Sequence, residues 1–548
     1  MPYVNKANYL KIVSPPQKGS FIPSEAQQDF FDWVTEGSGN CILEAVAGAG
    51  KTTTILEGIG RMNGRVWFGV YNKKMADEIK EKISERPELQ NRPFPHQMLS
   101  TKTFHGEGFG IICRYNTKDV KTDVDAKKVD KIIDRLIVKK EQEVMKARDD
   151  LREIKGAVCG IVSMAKNRGI GCLTPADDYH AWTQMIEKFD LDSSLPDDIN
   201  MASVINFSRV VLNESNIDTT TVDFDDMVYL PLLKNMKVYP FDWVLVDEAQ
   251  DTNPTRRALA KKLLKRTGRF VAVGDPHQAI FGFTGADNDS LEQIKMDFNA
   301  TSMPLTVTYR CPKKVVAHAQ QWVKHITAHE SAPTGEVLKM PYGELIDSVK
   351  KMDTSFHGET AILCRYNKYL VSLCFKLIRE GVAAKIEGRA IGDNLLKLAT
   401  RWKSVKTLNG LETKLNQYME REVDKAMAKD QEDKADRIVD QVETLLVIMK
   451  RARSLNLDRV SELKDMVDEL FSDSVGKKGL LTLCSAHKSK GLEWNTVFIL
   501  GREEFMPSKF AKQPWQVAQE INLIYVAVTR AKQTLIEVSN VVEEKVDD

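Results

Sequence analysis

A chain of 548 residues is long enough for three or four domains at about 150 residues each, and a hydrophobic content of 42% can fill several cores. Its 78 basic and 77 acidic side chains leave a net charge of +1. That excludes a globally basic polyanion binder and confines any nucleic-acid track to a local stripe. No apolar run approaches the ~20 residues of a bilayer span, and the start, Met1 to Lys6, lacks the apolar core of a secretory signal. The eight cysteines lie far apart with no Cys-x-x-Cys pair. Reduced thiols in a cytoplasmic compartment, or a nuclear one in a eukaryote, are therefore expected.

In chain order, Ser24-Glu25-Ala26-Gln27 has the spacing of a helix capping box. Cys41 to Val46 forms an apolar run that predicts a strand, and Val66 to Tyr71 predicts the next. From 111 to 155 the chain contains neither Gly nor Pro and turns charged, which predicts an inserted helical segment. Asp242 to Val246 and Phe270 to Val273 resume the strands, with a helix between them opened by Thr252-Asn253-Pro254 and stopped at Gly268. A second series follows at Thr360–Cys364, Leu480–Leu483, Val497–Leu500 and Leu535–Val538. It too is interrupted, because 411 to 475 again lacks Gly and Pro. Within it Ile438, Val442, Leu445, Leu446 and Met449 keep an apolar stripe at helical spacing. Strands this apolar, alternating with helices, predict parallel sheets covered on both faces.

Two segments carry chemistry. Between the first strand and its helix stand Ala47-Gly48-Ala49-Gly50-Lys51-Thr52-Thr53. Small residues there let backbone N–H groups approach phosphates, and the helix points its positive end at them. Lys51 is placed to neutralise the β- and γ-phosphates of a nucleotide triphosphate such as ATP, and the Thr52 hydroxyl to ligate Mg2+. The second segment, Val244-Leu245-Val246-Asp247-Glu248, ends an apolar strand in two acids. Asp247 is expected to hold the metal, and Glu248 to polarise the attacking water.

Five further segments are Asp247-Glu248-Ala249-Gln250-Asp251, Gly274-Asp275-Pro276-His277-Gln278, Thr308-Tyr309-Arg310, His487-Lys488-Ser489-Lys490-Gly491-Leu492-Glu493-Trp494 and Tyr525-Val526-Ala527-Val528-Thr529-Arg530-Ala531. In this order they resemble the motifs of superfamily 1 DNA helicases of the UvrD/Rep/PcrA type. The Gly274–Gln278 and Glu520–Tyr525 variants are most similar to the F-box DNA helicase branch, although no F-box is evident. The resemblance implies an α/β fold of two RecA-like parallel-sheet P-loop NTPase domains, each with a helical insertion. The expected boundaries are 1–110 and 216–290 for the first sheet domain around an insertion at 111–215, then 291–398 and 476–548 for the second around 399–475.

The resemblance also implies roles. Gln27 reads the adenine edge, which competes with its capping-box reading. Gln278 senses the γ-phosphate, Tyr309 stacks on adenine, Glu493 meets the ribose or γ-phosphate region, and Arg310 and Arg530 reach the transferring phosphoryl group. Single-stranded DNA contacts fall to Tyr71, Asn72, Thr103, His105, Phe281, Phe283 and His487. Phe281 and Phe283 stand evenly between core packing and base stacking. Thr284 departs from the family, which places an arginine there. The implied activity is an ATP-dependent helicase or translocase on single-stranded DNA and single/double-strand junctions, 3′ to 5′, in repair, recombination or replication. Other proteins of those processes are expected as partners, and a membrane is not. Alternatives are a DNA-stimulated ATPase that displaces proteins or remodels joints, and the motor subunit of a helicase–nuclease.

Overall fold

The computed structural model describes residues 21–90, 98–116, 120–141, 154–189, 191–192, 195, 199–280, 289–402, 404–428, 432–472, 480–511 and 514–541. It divides into two compact units. The first comprises Ile22–Ala45 with Gly50–Leu305, and the second comprises Thr306–Asp548 together with the short segment Val46–Ala49.

The first unit is built on six parallel strands, β1 (Asn40–Ala45), β2 (Val66–Val70), β3 (Leu99–Thr103), β6 (Phe241–Val246), β7 (Leu264–Gly274) and β8 (Ala300–Leu305), in the order β3-β2-β6-β7-β1-β8. Every residue of β2 is buried, as a strand covered on both faces requires. All six strands run the same way, so the loops after β1, β6 and β7 leave one edge of the sheet, where open α/β sheets hold ligands. The unit extends past the boundary expected at 290 because β8 pairs with β1.

Helices intervene between β3 and β6, with a two-stranded ribbon of β4 (Asp123–Val124) and β5 (Thr221–Val222). This insertion has a charged heart. Lys166 is fully buried, its ammonium 2.6 Å from Asp223, while Lys128 pairs with Asp226 at 2.7 Å. The helix opened by Pro254 is capped at Asn253, whose side chain accepts from Arg256 N–H, but it ends at Leu263. Gly268 therefore lies within β7 rather than at the helix stop. A register shift between Phe241 and Trp243 lets β7 begin early, and the Lys265–Asp242 ion pair at 2.5 Å and Arg269 stacked on Trp33 and Trp243 hold the irregular stretch.

The second unit has seven parallel strands: β11 (Glu336–Pro341), β12 (Thr360–Cys364), β13 (Ala384–Glu387), β14 (Phe471–Ser472), β15 (Leu481–Ser485), β16 (Trp494–Leu500) and β17 (Ala531–Ser539). Their order is β11-β17-β16-β12-β15-β13-β14. A short pair, β9 (Val307–Thr308) with β10 (Thr327–Ala328), precedes the sheet. Two long helices, Leu408–Ala428 and Glu432–Ser454, form the expected insertion. Of the predicted stripe, Ile438, Val442, Leu445 and Met449 lie in the core and Leu446 packs against it, partly buried. Among the described residues no helix is long and apolar enough to cross a membrane, and all eight cysteines are free thiols.

Candidate nucleotide and nucleic-acid site

The phosphate-loop segment turns on two glycines with left-handed backbone, Gly48 at φ +74° and Gly50 at φ +75°. A side chain is disfavoured at such angles. Gly50 is also the N-cap of the helix Lys51–Arg61 and offers no side chain of its own, so the first turn keeps orphan N–H groups for an anion. Thr52 and Thr53 lie in that turn, half-buried.

Opposite the lysine stands the acid pair. Lys51 Nζ is 3.7 Å from Glu248 Oε1, both side chains largely shielded. Asp247 is buried at the end of β6, and its Oδ1 accepts the Glu248 N–H at 2.9 Å. Glu248 itself has φ +49° and ψ +44°, a left-handed conformation uncommon outside Gly, Asn and Asp. Strain of this kind concentrates where function requires a fixed side-chain direction. The Thr52 hydroxyl and the Asp247 carboxylate make a donor set of hard oxygens, which fits Mg2+.

A polar relay leads from the acid pair to the next loop. Gln250 donates to Glu248 Oε2 at 2.5 Å, and its carbonyl oxygen accepts Asp275 N–H at 3.1 Å. Asp275 in turn accepts from the Gln278 side chain at 2.7 Å. Lys51, Asp247, Glu248 and Gln278 thus gather at one sheet edge, with Gln250 and Asp275 as linkers that the motif reading did not single out. Gln27 completes the capping box: its Oε1 accepts Ser24 N–H at 2.9 Å, and its amide donates to Thr54 Oγ1 at 2.8 Å.

Within the second unit, the segment Val46–Ala49 lies with the later motifs. Ala47 N–H donates to the Tyr525 hydroxyl at 2.9 Å, and Tyr309 N–H donates to the Gly48 carbonyl at 2.9 Å. A Cβ on Gly48 would sit 2.5 Å from Arg310 Cβ. Arg310 Nε meets Glu493 Oε2 at 2.6 Å. Burial opposes ionisation of Glu493, but Arg310 and Lys532 hold its carboxyl below the ordinary range. Arg530 is 1% exposed, and its guanidinium donates to Val526 O, Leu492 O and Thr529 Oγ1. Among the described residues no carboxylate pairs with it. Burial and the nearby Arg310 push its pKa down to about 9, an environment that an anionic phosphoryl group would relieve. Tyr309 is 43% exposed, its ring 4.9 Å from that of His329. Tyr525 was legible as part of a motif, but its hydroxyl's contact with the loop was not.

The expected DNA residues divide. Asn72 caps the helix Lys73–Ser84, and Thr103 caps the helix Phe104–Tyr115. The Arg256 guanidinium lies over the Tyr71 ring at 5.4 Å. His105 meets Phe224 edge-on, and burial with Arg256 lowers its pKa to about 4. His487 is held to about 3 by burial, Arg365 and Arg437. Phe281, Phe283 and Thr284 lie outside the described residues. Arg365 is taken up in ion pairs with Glu520 at 2.9 Å and Asp436 at 3.1 Å.

Comparison with known proteins finds the UvrD/REP helicase N-terminal domain matched by residues 26–299 and the UvrD-like helicase C-terminal domain by residues 390–540. Similar proteins include the ATP-dependent DNA helicase Rep of Buchnera aphidicola (subsp. Acyrthosiphon pisum), 24% identical over 91% of this chain and 92% of that one. The ATP-dependent DNA helicase PcrA of Bacillus subtilis is 21% identical over 91% and 80%. Rep of Escherichia coli is 28% identical over 54% of this chain and 42% of its own length.

Proposed function

Since the chain belongs to the UvrD/Rep helicase family, we propose that it is an ATP-dependent DNA helicase that moves 3′ to 5′ along single-stranded DNA and opens single/double-strand junctions in replication, recombination or repair. The carrying observation is the ion pair of Lys51 with Glu248 at 3.7 Å, on the ligand-binding edge of a parallel sheet. A cation for the phosphates and a carboxylate for the water are thereby brought to one place.

In this reading Lys51 and the N–H groups of the loop bind the triphosphate and spread its charge. Glu248 takes the water's proton as the γ-phosphorus is attacked, its direction fixed by the backbone and by Gln250. Gln278, tethered through Asp275 and Gln250, registers the γ-phosphate, so its presence is felt at the acid loop. Arg310 and Arg530 stabilise the charge of the transferring group. Support for Arg310 is its approach to Gly48 of the phosphate loop, and for Arg530 the lack of a carboxylate partner. Thr52 and Asp247 would hold Mg2+, which supplies charge neutralisation at the phosphate oxygens when bound. Tyr309 offers its exposed face to adenine.

The test is strand displacement from duplexes bearing only a 3′ or only a 5′ single-stranded tail. The reading expects ATP-dependent unwinding from the 3′ tail. Equal unwinding from a 5′ tail would overturn the polarity. ATP turnover indifferent to single-stranded DNA would overturn the motor itself.

A further inference from the structure

A cavity of about 130 Å³ opens in the second unit among the start of the helix Asn367–Arg379, the helix Arg389–Ala399 and the helix Glu432–Ser454. None of its lining residues is assigned above to nucleotide or DNA, although Arg437 in the lining acts electrostatically on His487. Asn367 follows closely on the end of β12 at Cys364, the strand edge at which such sheets collect ligands. Ile391 and Leu395, one helical turn apart, provide an apolar wall, and Asn367, Asp440, Gln441 and Thr444 provide a polar rim.

Among the described residues, that rim leaves a buried side-chain carbonyl without a donor. Asp440 caps the helix Asn367–Arg379, accepting from Asn367 N–H at 2.7 Å, from the Asn367 side-chain amide at 2.8 Å and from Lys368 N–H at 3.2 Å. With its amide so used, the Asn367 Oδ1 is buried with no hydrogen-bond partner among the described residues. Thr444 is fully buried, and its hydroxyl also has no partner among the described residues. A threonine inside a helix ordinarily donates to the carbonyl one turn back; this one does not. Burial raises the Asp440 carboxyl to about 6 despite these three hydrogen bonds.

Unsatisfied buried acceptors are costly, and a ligand bringing N–H groups removes that cost. The Asp440 carboxylate on the same rim disfavours a phosphate, which carries charge of the same sign. An apolar cavity of ~150 Å³ holds one benzene ring, so this space matches a single six-membered ring lying on Ile391 and Leu395. In a chain that handles DNA, the planar, single-ring, amine-bearing group is cytosine, whose exocyclic N–H groups suit a carboxylate or side-chain carbonyl. Asn394 and Arg437 complete the lining. Thymine presents a carbonyl and a methyl where cytosine presents the amine.

We propose that this cavity takes one cytosine base from the strand on which the motor acts, giving it a base preference that aromatic stacking does not supply. The inference rests on the DNA-motor reading. The experiment measures binding of labelled oligo(dC) and oligo(dT) of equal length to the full chain, as wild type, Ile391→Trp (which fills the cavity) and Thr444→Val (which keeps the shape and removes the hydroxyl). Wild type should favour oligo(dC) about tenfold. Ile391→Trp should erase that advantage while leaving oligo(dT) affinity and DNA-free ATP turnover in place, and Thr444→Val should reduce it. Equal affinities in the wild type, or an advantage that survives Ile391→Trp, overturn the proposal. Melting with dCMP and dTMP separates the sources: a rise with dCMP alone, lost in Ile391→Trp, keeps the base site and assigns it to a free nucleotide. A chain that bound neither oligonucleotide would refute the motor reading, and the cavity would then stand or fall on the dCMP melting shift.

Discussion

Glu248 shows how one residue's backbone can set its chemistry. Its φ of +49° is a conformation a non-glycine residue keeps only when its surroundings over-determine it, and the Asp247 and Gln250 contacts do so. Glu248→Gln preserves shape and removes the base. Hydrolysis should fall by roughly 10²–10⁴ with nucleotide affinity kept, as measured by single-turnover ATPase beside equilibrium binding. Arg530→Ala should slow the chemical step by about 10³–10⁵ with little change in ATP affinity; an unchanged rate removes Arg530 from the site. Arg530→Lys should recover little, since an ammonium lacks the planar fork that meets three backbone and side-chain oxygens here. Gly48→Ala meets both a left-handed backbone, costing about 1–2 kcal/mol, and Arg310. It should lower ATPase activity and melting temperature together.

At the scale of elements, motif strands were legible because each carries a run of three or more apolar residues beside a glycine or an acid. β3 was not, because Ser100, Thr101 and Lys102 give it no apolar alternation, and its pairing with β2 is what makes it a strand. The helix stop near Gly268 was misread for a related reason: a long-range ion pair and two tryptophans, not local propensity, decide where β7 begins. The candidate site divides in the same way. Lys51, Asp247 and Glu248 could be named from their own segments, and Arg310, Glu493 and Arg530 from the family resemblance, whereas Tyr525, Gln250 and Asp275 act through contacts that only tertiary structure reveals. The helical insertion invites a stability test. Lys166→Ala would leave the buried Asp223 without its ammonium and should cost about 3–5 kcal/mol, read as an earlier urea transition.

For the whole molecule, near-neutral charge means that salt should weaken DNA binding only through local phosphate contacts, with a correspondingly modest slope. Acid should act on stability through the histidines. His105 and His487 have folded pKa values near 4 and 3, against 6.5 unfolded. Between those limits the unfolded chain binds more protons, so stability rises with pH and is lost as pH falls below 6.5, at up to about 1.4 kcal/mol per pH unit for each group. Melting temperatures from pH 7 to 5 should fall accordingly, and His487→Gln should flatten the profile. An unchanged slope in that variant would remove His487 as a contributor.

Four consecutive residues, Val46–Ala49, belong to a body most of whose sequence starts more than 250 positions later, at Thr306. A fragment begun at Thr306 would therefore arrive incomplete, with the Tyr525 phenol and the Tyr309 amide each short of a bonding neighbour. Cutting the polypeptide between its two bodies should yield a carboxy-terminal piece that is less stable than its own sheet suggests, and a synthetic peptide spanning the missing turn should restore part of the deficit.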